Sequence, residues 1–116
     1  MQLSCFPLGP LGGEAVCACL DSGEALCGSV DLSYCEIGPS ACRILASALI
    51  KGKITELNIS NNRVGEVGGL AMADALRKKP KGLSKLLIGG NKMGDKACLA
   101  FASVVDAPSL LHLDLR

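Results

Sequence analysis

A spaced set of apolar residues recurs through this chain and leaves few folds open to it. In Ile54-Thr-Glu-Leu57-Asn-Ile59-Ser-Asn-Asn62-Arg-Val64-Gly65, apolar residues stand at 54, 57 and 59. An asparagine comes at 62, then an apolar residue and a glycine at 64 and 65. The spacing returns at Leu83, Leu86, Ile88, Asn91, Met93 and Gly94, and it begins again at Leu110, Leu113 and Leu115. Read backwards, it appears at Cys27, Val30, Leu32, Cys35, Ile37 and Gly38. The first positions are 27, 54, 83 and 110, so the steps are 27, 29 and 27 residues. A fixed period of this length marks a unit that cannot bury its apolar face alone and must stack on copies of itself.

The tight spacing at 54, 57 and 59 reads as a strand, and the segment after each repeat glycine reads as a helix. Ala41, Cys42, Leu45 and Leu49 fall at i, i+1, i+4 and i+8, which is one helical face. Gly68, Gly69, Met72 and Leu76 occupy the same offsets in the next unit, and Ala97, Cys98, Phe101 and Val105 in the one after. Pro39 suits a first helical turn, where its missing N–H costs nothing, and Gly52 suits a helix C-terminus. Asp95 is placed to cap the fourth helix. Two glycines inside one helix cost about 1 kcal/mol each relative to alanine. The helix holding Gly68 and Gly69 is therefore expected to begin late or fray, with close helix-to-sheet approach as the compensation.

Aligning Leu8-Gly9-Pro10 with Ile37-Gly38-Pro39 makes the N-terminus a weaker copy of the unit. Met1 and Leu3 then fall in a strand, and about Pro10 to Leu20 in a helix with Val16 and Leu20 facing inward. The expected organisation is a single domain over 1–116: a degenerate first unit at 1–26, units at 27–53, 54–82 and 83–109, and the start of a fifth strand at 110–116.

Consecutive strands joined by helices must be parallel, with right-handed crossovers. Strands pack about 4.8 Å apart while helices need about 10 Å, so such a stack curves with its strands inside. The predicted fold class is a right-handed α/β solenoid, a horseshoe segment with a parallel concave sheet and convex helices. Asn62 and Asn91 would sit where the chain leaves the strand, their amides satisfying loop backbone groups, with Cys35 in the equivalent place.

Units of this length resemble the ribonuclease-inhibitor class of leucine-rich repeats. Leu57-x-Ile59-x-x-Asn62-x-Val64-Gly65 and Leu86-x-Ile88-x-x-Asn91-x-Met93-Gly94-Asp95 are similar to repeats of ribonuclease inhibitor, of NOD-like receptor sensor regions and of Ran GTPase-activating protein. The resemblance covers residues 27–116 well and 1–26 weakly, and it is specific for fold rather than function, because the matching positions build the scaffold. It implies a binding module. It also implies, as an alternative, a GTPase regulator with an arginine on a rim loop, for which Arg43 and Arg63 are candidates by residue type alone. A third reading is a structural segment of a larger receptor or scaffold. The acidic, Trp-bearing surface of ribonuclease inhibitor has no counterpart here, because the chain has no Trp and a net charge of +1. No nucleotide-binding G-x-x-x-x-G-K-[ST] occurs.

Charge so near balance gives no field toward nucleic acid or anionic membrane, and no run of about 18 apolar residues predicts a membrane span. Seven cysteines cannot all pair within one chain, and Cys27, Cys35 and Cys42 stand at repeat positions that otherwise hold apolar, Asn or small residues. Reduced buried thiols in a cytoplasmic compartment are expected. Cys17-Ala-Cys19 lacks the second pair or the His that a metal site would need. Neither metal nor cofactor is predicted. Arg77-Lys78-Lys79-Pro80-Lys81 is a basic stretch of the kind that serves nuclear import, though such runs also complement a helix C-terminus.

No catalytic constellation is expected, since His112 has no Ser or Cys at an informative spacing. Alternation along the strands puts Asp31, Ser33, Glu56, Asn58, Ser60, Lys85, Leu87, His112 and Asp114 on the concave face. These are the candidate partner-binding residues, with Leu87 the one apolar anchor. The predicted partner is a protein. The terminal strands would leave open edges, which predicts end-to-end association or a place within a longer array.

Overall fold

A computed structural model describes residues 9–22, 28–52, 54–78, 83–104 and 112–114. Elements alternate as the repeat requires: α1 (Gly9–Ser22), β1 (Gly28–Asp31), α2 (Pro39–Ile50), β2 (Ile54–Asn58), α3 (Gly65–Arg77), β3 (Lys85–Leu87), α4 (Gly94–Val104) and β4 (His112–Asp114). The four strands form one sheet in chain order, β1-β2-β3-β4, and every pair is parallel. Each of α2, α3 and α4 is thus the crossover between two neighbouring strands, and consecutive helices pack side by side. The strand at Met1 and Leu3, and Val105 and Pro108, lie outside the described residues.

The register carries the period through the sheet. Val30 pairs with Leu57 and Leu57 with Leu86, and all three are buried. Leu32, Ile59 and Ile88 form a second buried row, and Leu45, Leu49, Met72, Leu76 and Phe101 meet them from the helices. At about 25 cal/mol per Å² of apolar surface removed from water, these side chains supply the main force holding strand to helix.

Helix termini obey the expected chemistry with one exception. Pro39 opens α2, and the Gly52 N–H closes its end on the Leu49 carbonyl. Asp95 does not cap α4. It lies inside the first turn, where its charge still complements the exposed N–H groups.

The expectation for α3 fails in an informative way. The helix starts early, at Gly65, and runs through Gly68 and Gly69, both buried. The close approach is helix to helix, not helix to sheet. A methyl on Gly68 would stand 2.7 Å from a Val64 methyl and 3.4 Å from Cys42 Cβ. A methyl on Gly69 would stand 2.8 Å from Met93 Sδ and 2.9 Å from Ala97 Cβ, pushing α4 away. The glycines let α2 and α4 close on either side of α3. Gly68→Ala should cost less than Gly69→Ala, because a gain of about 1 kcal/mol in helix propensity partly offsets the movement forced on the buried Val64 side chain. Gly69→Ala should cost about 1–3 kcal/mol, because Ala97 Cβ is fixed by its backbone. Equal urea midpoints for the two variants would refute this account.

Candidate functional site

Where the chain leaves β2 and β3, an asparagine, half-buried at 62 and buried at 91, holds the turn and ties it to the unit before. Asn91 Nδ2 donates to the carbonyls of Ile88 at 2.8 Å, Ile59 at 2.9 Å and Gly89 at 3.2 Å. Its Oδ1 accepts from the N–H of Asn62 at 2.9 Å and of Val64 at 3.3 Å. Asn62 repeats the pattern one unit back, donating to Ile59, Leu32 and Ser60 and accepting from Cys35 and Ile37. Cys35 stands in the equivalent place, buried, its thiol 3.4 Å from the Ser33 carbonyl oxygen. These contacts make all three residues part of the scaffold.

With this frame fixed, the remaining strand side chains lie on the sheet face turned away from the helices. Ser29 pairs in register with Glu56 and Glu56 with Lys85, and Lys85 pairs with His112. The next row is Asp31, Asn58, Leu87 and Asp114. Ser29, Asp31, Glu56, Asn58, Lys85 and Leu87 line a shallow depression of about 170 Å³. His112 and Asp114 extend both rows in the backbone register.

The face continues onto the loops at the C-terminal ends of the strands. Interstrand bonds run on past the strands, from the Tyr34 N–H to the Ser60 carbonyl at 3.1 Å and from the Asn61 N–H to the Gly89 carbonyl at 2.8 Å. Tyr34, Asn61 and Gly90 are thus equivalent positions, and all three have left-handed backbones, φ 56, 57 and 71. Asparagine and glycine adopt that conformation readily; a tyrosine there costs about 1–2 kcal/mol. Two residues further on stand Glu36, Arg63 and Lys92. Glu36 and Arg63 form an exposed ion pair at 3.5 Å, which contributes at most about 1 kcal/mol.

Comparison with known proteins gives this geometry its family. The leucine-rich repeat family pattern matches residues 53–73. Ribonuclease inhibitor of Sus scrofa is 33% identical over 99% of this chain and 26% of its own length. NACHT, LRR and PYD domains-containing protein 12 of Homo sapiens is 32% identical over 93% of this chain and 10% of its own. This is a leucine-rich repeat protein of the ribonuclease-inhibitor-like class. The chain spans about a tenth to a quarter of these relatives' length.

Within these leucine-rich repeats the predicted face residues do not all stay available. Ser33 is buried at 6% exposure, and its N–H and Oγ both donate to Asp31 Oδ1, at 3.0 and 2.8 Å. It belongs to the turn, so its place among the face residues is corrected. The Ser60 N–H donates to Asn58 Oδ1 at 3.0 Å in the same way. Asp31 and Asn58 therefore each spend one oxygen on their own backbone. The recurring D-x-S and N-x-S at 31–33 and 58–60 is the signal that could have exposed this turn. Sequence reasoning misses Tyr34, Glu36 and Lys92 at the loop edge, because backbone conformation there is not written in residue type. Arg63 shares that edge, whereas Arg43 lies exposed on α2.

Among the described cysteines, Cys17, Cys35 and Cys42 are buried thiols outside any disulfide, and Cys19 is an exposed one. Burial pushes the thiols of Cys17 and Cys42 up to about 12, and the nearby Cys42 and Cys35 reinforce this at Cys17. Such thiols stay protonated and unreactive at neutral pH. Among the described residues no group of three or more His, Cys, Asp or Glu could hold a metal ion. No helix there is long and apolar enough to cross a membrane.

Proposed function

We propose that this segment is a non-enzymatic protein-interaction module, one array of about four units from a right-handed solenoid, which binds a protein through its concave strand face and loop edge. The observation that carries the reading is the sorting of side chains on β1–β3. One row faces the helices and is buried, while its alternate is polar, mixed in charge and gathered around Leu87. Mixed polarity around one apolar anchor suits a modest protein contact better than a small-molecule site, which needs a deep, mainly apolar cavity. A relative named as an inhibitor of a ribonuclease supports recognition of a protein partner. Buried reduced thiols support a reducing, cytoplasmic setting, and the stretch from Arg77 to Lys81 would add nuclear import.

The test is affinity capture from a cell lysate, comparing the wild-type chain with Glu56→Lys/Leu87→Asp. Both positions face away from the core, so circular dichroism should be unchanged. A partner held by the wild type and lost by the variant is the expected result. Identical partners on both would move recognition off the strand face.

A further inference from the structure

We propose that the strand face and its loop edge take a partner segment lying across the strands, with its cationic residues over β1 and its anionic residues over β3, anchored on Tyr34. The proposal deepens the binding reading above and rests on it.

Three sets of equivalent positions carry the charge: 29/56/85, 31/58/87 and 36/63/92. The β1 unit contributes Asp31 and Glu36, both negative. In the β2 unit Glu56 and Arg63 cancel. The β3 unit contributes Lys85 and Lys92, both positive. The pairing register fixes this order across neighbouring strands. Net charge near zero thus hides a surface that runs from −2 through 0 to +2 over β1–β3, with Asp114 on β4 next in the 31/58/87 row. Strands about 4.8 Å apart put the two poles about 10 Å apart, the span of roughly three residues of extended chain. A polyanion or polycation would be attracted at one pole and repelled at the other. A short segment with separated charges matches both.

Tyr34 points to the same end. It is the chain's one tyrosine, it is 58% exposed, and it keeps a left-handed backbone where the equivalent positions hold Asn61 and Gly90. Neither its burial nor its turn geometry explains a large aromatic residue there. An exposed ring in the unit that carries Asp31 and Glu36 suits a guanidinium, which can stack on the ring within their negative field, Glu36 itself being already paired with Arg63.

The test uses two fluorescent heptapeptides of one composition. In the first, two arginines, three neutral residues and two glutamates stand in blocks; in the second, the same charges alternate. In fluorescence anisotropy at low salt, the block peptide should bind at least about tenfold more tightly, a difference of about 1.4 kcal/mol. Tyr34→Ala should weaken it by about tenfold with the fold unchanged. Lys85→Glu/Lys92→Glu should reverse the preference toward an all-arginine heptapeptide. Equal binding of the two peptides, no binding of either, or indifference to Tyr34→Ala overturns the proposal. The lysate capture reads the strand face independently: a partner lost with Glu56→Lys/Leu87→Asp alongside equal peptide binding would sink the charge order alone.

Discussion

Asn91→Ala should destabilise the chain by about 3–5 kcal/mol, a large part of the roughly 5–15 kcal/mol that holds a typical domain. Asn91 is 2% exposed, and no other described side chain except Asn62 makes so many bonds to two units at once. Truncation removes a donor pair shared by three carbonyls and an acceptor shared by two N–H groups. Each buried group left without a partner costs about 1–3 kcal/mol, and the terms are not additive, so the sum falls short of five separate losses. Asn91→Asp should do as badly. It keeps the acceptor, but it offers no N–H to the Ile59, Ile88 and Gly89 carbonyls and sets a buried negative charge against them. Chemical denaturation of the two variants is the measurement. An Asp variant near wild-type stability would show that the Nδ2 donors contribute little. Because the bonds reach Ile59 and Asn62 in the preceding unit, hydrogen-exchange protection in both units should fall together.

The contrast between Asn91 and Asp31 shows what a repeat makes legible. Leu57, Ile59, Leu86 and Ile88 are readable as core because alternation and period both assign them to one side of the sheet. Asn62 and Asn91 are readable as turn residues because a polar residue recurs where the apolar rows end. Asp31 and Asn58 are readable only in part. Period-two alternation turns them outward, but a carboxylate or amide two residues before a backbone N–H has a local use as well, and only geometry shows that it is taken. The glycines of α3 mislead for a related reason. Sequence marks a close approach at Gly68 and Gly69 without naming the neighbour, and helix spacing decides for α2 and α4. The charge order over β1–β3 needs the register, because it pairs residues some 27 to 29 positions apart whose charges cancel in any composition.

Stability should collapse in alkali, and earlier than the surface charges alone would bring about. The thiols of Cys17 and Cys42 stand at about 12 in the folded chain, against about 9 when exposed. Their folded values are raised, so the protonated thiol is the form the native state tolerates. Below about pH 9 neither state loses a proton, and the full stability of these sites is present. Between about 9 and 12 the unfolded chain ionises while the folded one does not, and folding loses ground by up to about 1.4 kcal/mol per pH unit for each thiol. Across the whole window that approaches about 4 kcal/mol for each site. The measurement is the urea midpoint at pH 7, 9 and 11, with reductant present throughout. The midpoint should hold from 7 to 9 and then fall steeply. Cys42→Ala should lower the midpoint at pH 7 through the lost packing, and its decline from 9 to 11 should be shallower than that of the wild type. A decline equally steep in that variant would place the alkaline lability outside the buried thiols. Thiol labelling gives a second reading of the same burial. At pH 8, exposed Cys19 should react with iodoacetamide in the native protein, and Cys17 and Cys42 only after denaturant opens the packing between α1 and α2.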